Sequence, residues 1–310
     1  MLNYLVSRTA SAAIVVLGVI CLVFMLIHLV PGDPVEMMLG ESARPADREA
    51  LARALGLDQP VLTQLGHYLS GLMQGNMGES LQYRRPIAEI VLERMPATVE
   101  LAIISLVVAV IIAIPLGAVA ALNQGKAWDY GAMGFSMVGV SIPNFWMGPI
   151  LILIFSLWLG WLPVSGREQA SSVVLPALTM GTALASILAR MVRSALLEVL
   201  SEDYIRTARA KGLSERAVVQ HHGLRNASLP VITILGLQLG TLLGGAVITE
   251  TIFSWPGIGQ LTIEAIQRRD YPMVQGCVLI ISLSYVLVNV LTDFVYAWVD
   301  PRIRLGDEGA

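Results

Sequence analysis

Charge is the scarcest feature of this sequence. Asp, Glu, Lys and Arg make up only 14% of the 310 residues, whereas roughly 25% is usual in a soluble domain. Apolar residues account for 55%, and the mean hydropathy is +0.69. The net charge of −3 comes without any basic stripe, so nucleic acid is not expected as a partner. This composition predicts an integral membrane protein.

Residues that carry redox, metal or hydrolytic chemistry are also scarce. Cys21 and Cys277 fall inside apolar runs without C-x-x-C spacing, and we interpret them as packing side chains. His221 and His222 are adjacent, so on a helix they diverge and no metal site is predicted. The nucleotide-binding G-x-x-x-x-G-K-[ST], H-E-x-x-H and G-x-S-x-G patterns are all missing. We expect no catalytic residue, no bound cofactor and no enzymatic activity.

Six long stretches contain no charged residue. A helix needs about 20 apolar residues to cross a hydrocarbon core of roughly 30 Å, and a charge inside it is expensive. The charge-free stretches have 24, 25, 37, 21, 24 and 22 residues. They lie between Arg8 and Asp33, Glu100 and Lys126, Asp129 and Arg167, Glu168 and Arg190, Arg225 and Glu250, and Asp270 and Asp293. The sequence therefore predicts an all-α integral membrane protein with six transmembrane helices.

The six spans can be located and oriented. The first lies within residues 1–30, and the others are expected at about 99–122, 134–160, 173–191, 229–250 and 273–298 of a transmembrane core, residues 99–310. No A-x-A cleavage pattern follows the first span, so we interpret it as a retained helix. With both termini inside, the short inner pieces hold 11 Lys and Arg residues and the short outer loops three. The positive-inside rule therefore predicts cytoplasmic termini.

The loop after the first span, residues 31–98, is too long for a simple connection. It predicts a helix near Pro45–Leu55 that Gly56 ends, a second helix over Val61–Met73, and a turn cluster at Gly75–Ser80. We expect a small folded cap on the outer face. It can serve as a structural lid or as a docking surface for an outside partner, and the sequence leaves both open.

A second unusual loop, residues 193–228, predicts two short helices joined by Gly212. Ser201 is expected to cap the first helix and Ser214 the second. Gly223 is expected to end the second helix, after which Pro230 opens the fifth span. The loop would then protrude from the membrane surface on the inner side.

Small and basic residues alternate in the first half of this loop. They are Arg206, Ala208, Arg209, Ala210, Lys211 and Gly212. The small residues would allow another protein to approach the backbone closely. The alternative is a basic helix that lies on anionic lipid or simply obeys the positive-inside rule.

Polar and small residues inside the apolar spans are candidates for a solute pathway. Ser141 and Asn144 flank the helix-breaking Pro143 in the third span. The fifth span carries a glycine stripe with two polar neighbours: Gly236, Gly240, Gly244, Gly245, Gln238 and Thr241. Glycines at this spacing allow close helix packing, either within the chain or at a seam with a second membrane subunit. In the second case Gln238 and Thr241 would face the pathway.

The outer end of the fifth span combines an acid with a turn. Glu250 is followed by Trp255, Pro256 and Gly257. We expect a structural, gating or docking role for these residues in preference to substrate binding.

Several motifs together resemble one family. The run Tyr204–Leu213, followed by Leu224–Ala227 and Leu229-Pro230, resembles the cytoplasmic signature of binding-protein-dependent ABC permeases, in the form found in dipeptide, oligopeptide, glutathione and nickel permeases. Further matching runs cover nearly the whole chain: Pro31–Pro34, Leu55–Pro60, Gly244-Gly245, Glu250, Trp255–Gly259 and Asp300–Arg302. The general importer pattern begins Glu-Ala-Ala, whereas Arg206, Thr207 and Ala208 stand here, as in the peptide and nickel branch.

The resemblance implies a role and partners. Residues Tyr204 and Arg206–Leu213 would form the coupling helix that contacts an ATPase subunit, and ATP and Mg would bind to the ATPases. A second homologous permease, two ATPase subunits and a periplasmic or lipid-anchored solute-binding protein would complete the assembly in a bacterial inner membrane. Small peptides would pass by alternating access; glutathione, nickel chelates and opine-like solutes are the alternatives.

A self-sufficient secondary transporter is the rival from another class. Such proteins show internal repeats and ionisable residues at the membrane midplane. Here no convincing repeat is found, and the predicted spans are nearly free of charge at their centres.

Overall fold

The computed structural model describes residues 2–29, 35, 39, 44–54 and 56–299. The chain divides into two compact units. The first contains the described residues up to Thr98 together with Pro256–Val286, and the second contains Val99–Trp255 together with the residues from Leu287 onward. The described residues are mostly helical, and their β pairing is limited to one bridge between Glu79 and Pro86. The prediction of an all-α chain is confirmed for this part of the protein.

The described part of the chain contains twelve α-helices. In chain order they are α1 Leu2–Leu29, α2 Pro45–Ala54, α3 Val61–Met73, α4 Ile87–Leu122, α5 Ala127–Ser141, α6 Asn144–Leu151, α7 Val174–Leu200, α8 Asp203–Ala210, α9 Glu215–Ala217, α10 Arg225–Ile252, α11 Ile258–Gln267 and α12 Tyr271–Val299. A π-helical stretch, Ile152–Trp158, prolongs α6, and another, Val218–Leu224, joins α9 to α10. A 3-10 turn, Ala170–Val173, precedes α7.

Three helical stretches in the described part are long and apolar enough to cross a membrane. They are Ile87–Leu122, Ala170–Leu200 and Tyr271–Thr292. The pair α5 and α6 makes a fourth if it counts as one span, although its halves are bent by 102° around Ile142-Pro143. Two shorter apolar stretches, Thr9–Met25 in α1 and Pro230–Gly240 in α10, coincide with the first and fifth predicted spans. The count of six spans remains a prediction.

Two helix ends differ from the predicted span ends because charge locates the apolar part of a helix and not its termini. α4 begins at Ile87, well before the predicted residue 99, and its first turns carry Glu89 and Glu93. α7 continues to Leu200 beyond Arg193, so residues 193–200 of the predicted inner loop are helical.

The helices of the predicted outer cap agree with the sequence signals. α2 ends next to Gly56, whose φ of +66° is left-handed, and the N–H of Leu57 donates to the carbonyl of Ala52 at 2.9 Å. This is the hydrogen bond of a Schellman-type helix end. α3 spans Val61–Met73 as predicted. Leu55, the predicted last residue of the first helix, lies outside the described residues.

The core of the first unit forms where α4 begins and where α11 and α12 pack against it. Its fully or nearly buried members are Ile87, Ile90, Val91, Ile258, Leu261, Ala265, Met273 and Cys277. Gly276 of α12 lies so close to α4 that an added Cβ would stand 2.4 Å from Cγ2 of Ile87. A small residue is therefore required at this contact.

The core of the second unit is built around α7. The most apolar 18-residue stretch within Ala170–Leu200 is 72% buried, compared with 28% for the corresponding stretches of α4 and α12. Two glycines allow neighbours to approach it closely: a Cβ on Gly117 of α4 would lie 2.6 Å from the carbonyl oxygen of Ala189, and a Cβ on Gly139 of α5 would lie 2.3 Å from Oγ of Ser186. Helix packing through small residues is typical of membrane proteins.

Candidate functional site

The segment Tyr204–Leu213 stands between α7 and the long helix that follows it. α8 covers Asp203–Ala210, and Gly212 then turns the chain with a φ of +80°. Glycine adopts this left-handed conformation without steric cost, which explains why the helix stops here. The hydroxyl of Ser214 accepts a hydrogen bond from the N–H of Ala217 at 3.4 Å, so its predicted capping role is confirmed.

Three local predictions around this segment are wrong. Ser201 does not cap α8, since its hydroxyl donates to the carbonyl of Glu198 at 2.7 Å at the end of α7, and Glu202 occupies the N-cap position. Gly223 does not end a helix, because the π-helical stretch Val218–Leu224 continues into α10. Pro230 accordingly lies inside α10 and does not open it.

One face of α8 is buried within the chain. Ile205 is 0% and Ala208 6% exposed, and both pack on the fully buried Val218. Val199 and Leu200 complete this small cluster. The small side chain of Ala208 therefore serves the approach of the following helix, and not the direct approach of another protein that the sequence suggested.

The opposite face of the segment is exposed. It presents Tyr204, Arg206, Thr207, Arg209, Ala210, Lys211, Gly212 and Leu213. Arg209 is held by Glu215, with Nε 2.7 Å from Oε1 and Nη2 3.3 Å from Oε2. The side chain of Asn226 donates to the hydroxyl of Tyr204 at 2.9 Å. These contacts fix the segment to the start of the long helix and leave its basic surface accessible.

A cleft of about 980 Å³ opens beside this surface. Its apolar wall comes from the ends of α4 and α7, including Leu122, Leu197 and Leu200. Polar and charged residues line the rest: Gln124, Lys126, Ser201, Arg209, Glu215, Arg216 and Gln220. The ends of two apolar helices and the basic segment thus face one shared opening.

A bidentate ion pair lies close in sequence to this region, and sequence reasoning missed it. Nε and Nη2 of Arg193 on α7 lie 2.6 and 2.7 Å from the two carboxylate oxygens of Asp129 on α5, and the N–H of Gly125 donates to the same carboxylate at 3.0 Å. The Asp129 side chain is only 4% exposed. Paired charges of this kind bind two helices together with fixed geometry. The partners are 64 positions apart in the sequence, which hides the pair from any local pattern.

Two of the predicted pathway residues border one cavity. Asn144 at the start of α6 and Gln238 of α10 line the same cavity of about 200 Å³, together with Met180, Ala183, Leu184, Ile187 and Leu242. Ser141 is exposed, and its hydroxyl donates to the carbonyl of Met137 at 2.8 Å, so it does not join them. Gly240 is buried in α10. The structure does not describe the side chain of Thr241 or the burial of Gly244 and Gly245.

The glycine stripe of the fifth span serves packing within the chain in at least one place. A Cβ on Gly236 would stand 2.2 Å from Cγ2 of Thr292 on α12. This contact supports the first of the two interpretations given for the stripe at that position.

The turn after α10 is buried. Glu250 is 0% and Trp255 1% exposed, and the N–H of Trp255 donates to the carbonyl of Glu250 at 2.8 Å. The guanidinium of Arg167 lies 5.7 Å from the centre of the Trp255 ring, a cation–π distance. Burial argues against direct docking of a partner on these two side chains. Pro256 and Gly257 belong to the first unit, where Gly257 precedes α11.

Known proteins resemble this chain over nearly its whole length. The di/tripeptide transport system permease protein of Pseudomonas aeruginosa is 46% identical, and the alignment covers 98% of this chain and 99% of that protein. The dipeptide transport system permease protein of Escherichia coli is 42% identical with the same coverage. The glutathione transport system permease protein of Escherichia coli is 43% identical, again over 98% and 99%.

Solved structures share the fold. A permease-length chain from inward-facing conformations of a methionine ABC transporter matches with a TM-score of 0.57 and 20% identity, covering 68% of this chain and 96% of that one. A chain of an amino acid ABC transporter crystallised with histidines matches with a TM-score of 0.51 and 13% identity, covering 69% and 94%.

Two family models divide the chain between them. Residues 1–102 match the N-terminal model of the binding-protein-dependent transport system membrane component, and residues 113–305 match the binding-protein-dependent transport system inner membrane component. Together with the relatives above, these matches show that the chain belongs to the family of inner membrane permease components of binding-protein-dependent transport systems.

Proposed function

We propose that this chain forms half of the translocation pathway of an ATP-driven importer of short peptides. The observation that carries the proposal is the full-length likeness, at 42–46% identity, to permeases named for dipeptide, di/tripeptide and glutathione transport. Glutathione is itself a small peptide, so one substrate class accommodates all three names. ATP and Mg would bind to partner chains, and this chain would be no enzyme.

The ATPase contact is assigned to the Tyr204–Leu213 segment. Its exposed basic face is supported from behind by Ile205, Ala208 and Val218, so a push on it moves the attached helices instead of deforming the segment. The segment leads through an unbroken helical stretch into α10, which bears Gln238. Closure of the ATPases would thereby move α10, and the pathway would open alternately to the two sides of the membrane.

The rest of the assembly follows from the same proposal. The chain crosses a bacterial inner membrane six times with both termini in the cytoplasm, and residues 31–98 lie outside. A second homologous permease supplies the other half of the pathway. A solute-binding protein delivers the peptide from outside. The cavity shared by Asn144 and Gln238, with Gly240, Thr241, Gly244 and Gly245 on the same helix, belongs to the pathway or its seam, and the turn from Glu250 to Gly257 acts as an outer gate.

Affinity purification of the tagged chain from its native membranes tests the proposal. Mass spectrometry should recover a second permease and two ATPases with the P-loop motif that this sequence lacks. ATP hydrolysis by the complex should rise when the solute-binding protein and a dipeptide are added. Recovery of the chain alone, with uptake into liposomes that needs no ATP, would instead establish a secondary transporter.

A bulky substitution tests the coupling assignment. Gly212→Trp should abolish stimulated ATP hydrolysis and uptake while the chain still inserts, because an added side chain at Gly212 points into open space where the partner would bind. Gly56→Trp is the matched control, since Gly56 also has a positive φ and open surroundings but lies in the predicted outer cap. If Gly212→Trp retained as much stimulated ATP hydrolysis and uptake as Gly56→Trp, the coupling assignment would be wrong.

A further inference from the structure

Two turns of the first unit carry arginine in a left-handed backbone conformation. The φ angle is +51° at Arg84 and +57° at Arg269. An L-residue with a Cβ is disfavoured there, whereas glycine is not. Arg269 follows Arg268, the C-cap of α11, in a Schellman motif, in which the Asp270 N–H donates to the Ala265 carbonyl at 2.9 Å. Glycine is the usual residue at that position. The chain therefore keeps two arginines where glycine would fit with less strain.

A buried carboxylate holds the two turns against each other. Asp270 is 1% exposed and accepts hydrogen bonds from the Ser80 hydroxyl at 2.5 Å and from the Gln82 N–H at 3.2 Å. The Gln82 side chain donates to the Arg268 carbonyl at 3.4 Å. The Arg268 guanidinium lies 5.7 Å from the centre of the Tyr83 ring. These contacts hold the two turns, and with them the backbones of Arg84, Arg268 and Arg269, in a fixed arrangement.

The resulting surface has an excess of positive charge. Arg84, Arg268 and Arg269 are exposed, and among the described residues none of them has an ion-pair partner. Their neighbour Arg85 differs, because its charge is met by Glu89 at 3.5 Å and by Glu93 at 2.5 Å. We call Arg84, Arg268 and Arg269 the basic platform. Two of its members lie in a short outer loop of the predicted topology, where Lys and Arg are disfavoured.

We propose that the basic platform is a docking surface for an acidic patch on the solute-binding protein. This inference rests on the proposed function, which requires such a partner on the outer side. Guanidinium groups bind carboxylates in a planar, bidentate geometry that rewards fixed presentation. Attraction to anionic lipid needs no fixed geometry and is met by flexible basic segments. The hydrogen bonds to Asp270 and the stacking of Arg268 on Tyr83 fix the position of the arginines and therefore favour a protein partner over lipid.

The test measures binding of the purified solute-binding protein to the complete transporter in nanodiscs. Arg84→Gly combined with Arg269→Gly should weaken binding about tenfold and flatten its salt dependence, because docking loses two charges. The melting temperature of this variant should stay equal or rise, since glycine relieves both backbone positions. Arg84→Lys combined with Arg269→Lys is the matched control: it keeps both charges and should therefore keep the salt dependence, but it should lose part of the affinity because an ammonium cannot bind a carboxylate in the bidentate geometry of a guanidinium.

Two outcomes would overturn the platform. Unchanged affinity and salt dependence in the glycine variant would show that the arginines do not contact the partner. A loss that disappears in nanodiscs without anionic lipid would assign the platform to lipid. The proposed function is tested separately. It is contradicted if the wild-type chain does not assemble with ATPase subunits. If the wild-type complex assembles but binds the solute-binding protein no better than the glycine variant does, only the docking role of the basic platform is contradicted.

Discussion

The ion pair between Asp129 and Arg193 is the most constrained polar contact of the second unit. Both carboxylate oxygens are used, and one of them also accepts the N–H of Gly125. Removing one partner of such a pair leaves the other charge poorly solvated, which costs more than the pair contributes when intact. The pair therefore ties α5 to the end of α7, directly before the segment assigned to ATPase contact.

We expect Asp129→Asn to lower the melting temperature of the detergent-purified chain by about 5 °C. The Arg193 side chain is 26% exposed, so water compensates for part of the loss. Asp203→Asn is the matched control, because the Asp203–Arg206 pair is exposed and exposed pairs contribute little. Differential scanning fluorimetry of both variants measures the difference. A similar shift in the two would show that burial does not strengthen the Asp129 pair.

Among the helices, the bent pair α5 and α6 bears most directly on the proposed pathway. The 102° bend at Ile142-Pro143 ends α5 and starts α6 with Asn144. Proline fixes its own φ and disfavours helix in the residue before it, which explains the break. The bend brings Asn144 to the cavity that α7 and α10 also line.

Cross-linking can test whether this cavity changes during transport. In a chain with Cys21→Ser and Cys277→Ala, the pair Asn144→Cys and Gln238→Cys should be joined by a short bifunctional maleimide. The yield should fall when ATP and vanadate trap the transporter, because alternating access separates the helices. Ser141→Cys with Gln238→Cys is the control and should give little product, since Ser141 does not line the cavity. A yield for the first pair that ignores the nucleotide state would argue against a pathway position.

For the molecule as a whole, local signals were predictable and distant ones were not. Gly56, Gly212 and Ser214 act within one helical turn, and the sequence located all three. Ser201 and Gly223 carry the same kind of signal, but Ser201 bonds back to Glu198 at the end of α7, and helical structure continues through Gly223. Contacts between helices bring Asp129 to Arg193 and place Asn144 and Gln238 at one cavity. No spacing in the sequence encodes either arrangement.

Membrane topology gives a prediction for the whole chain. In the same cysteine-free background, Met73→Cys should react with a membrane-impermeant maleimide in intact spheroplasts, because Met73 is 89% exposed in the predicted outer cap. Leu213→Cys, with 44% exposure at the wild-type side chain, should react only after lysis. Labelling of Leu213→Cys in sealed spheroplasts would invert the topology and remove the ATPase assignment with it.

Pro230 marks the point at which the long helix is expected to bend most easily. Helical structure runs from Glu215 to Ile252 through the π-helical stretch, and Pro230 is the one proline in that sequence. Proline removes a backbone hydrogen bond and softens a helix at that point. About 15 residues on its near side make a lever arm of about 20 Å. A change of about 10° at Pro230 moves the far end by about 3–4 Å. If ATPases act on the Tyr204–Leu213 segment as proposed, the displacement that they must deliver is therefore set by the distance between Pro230 and that segment.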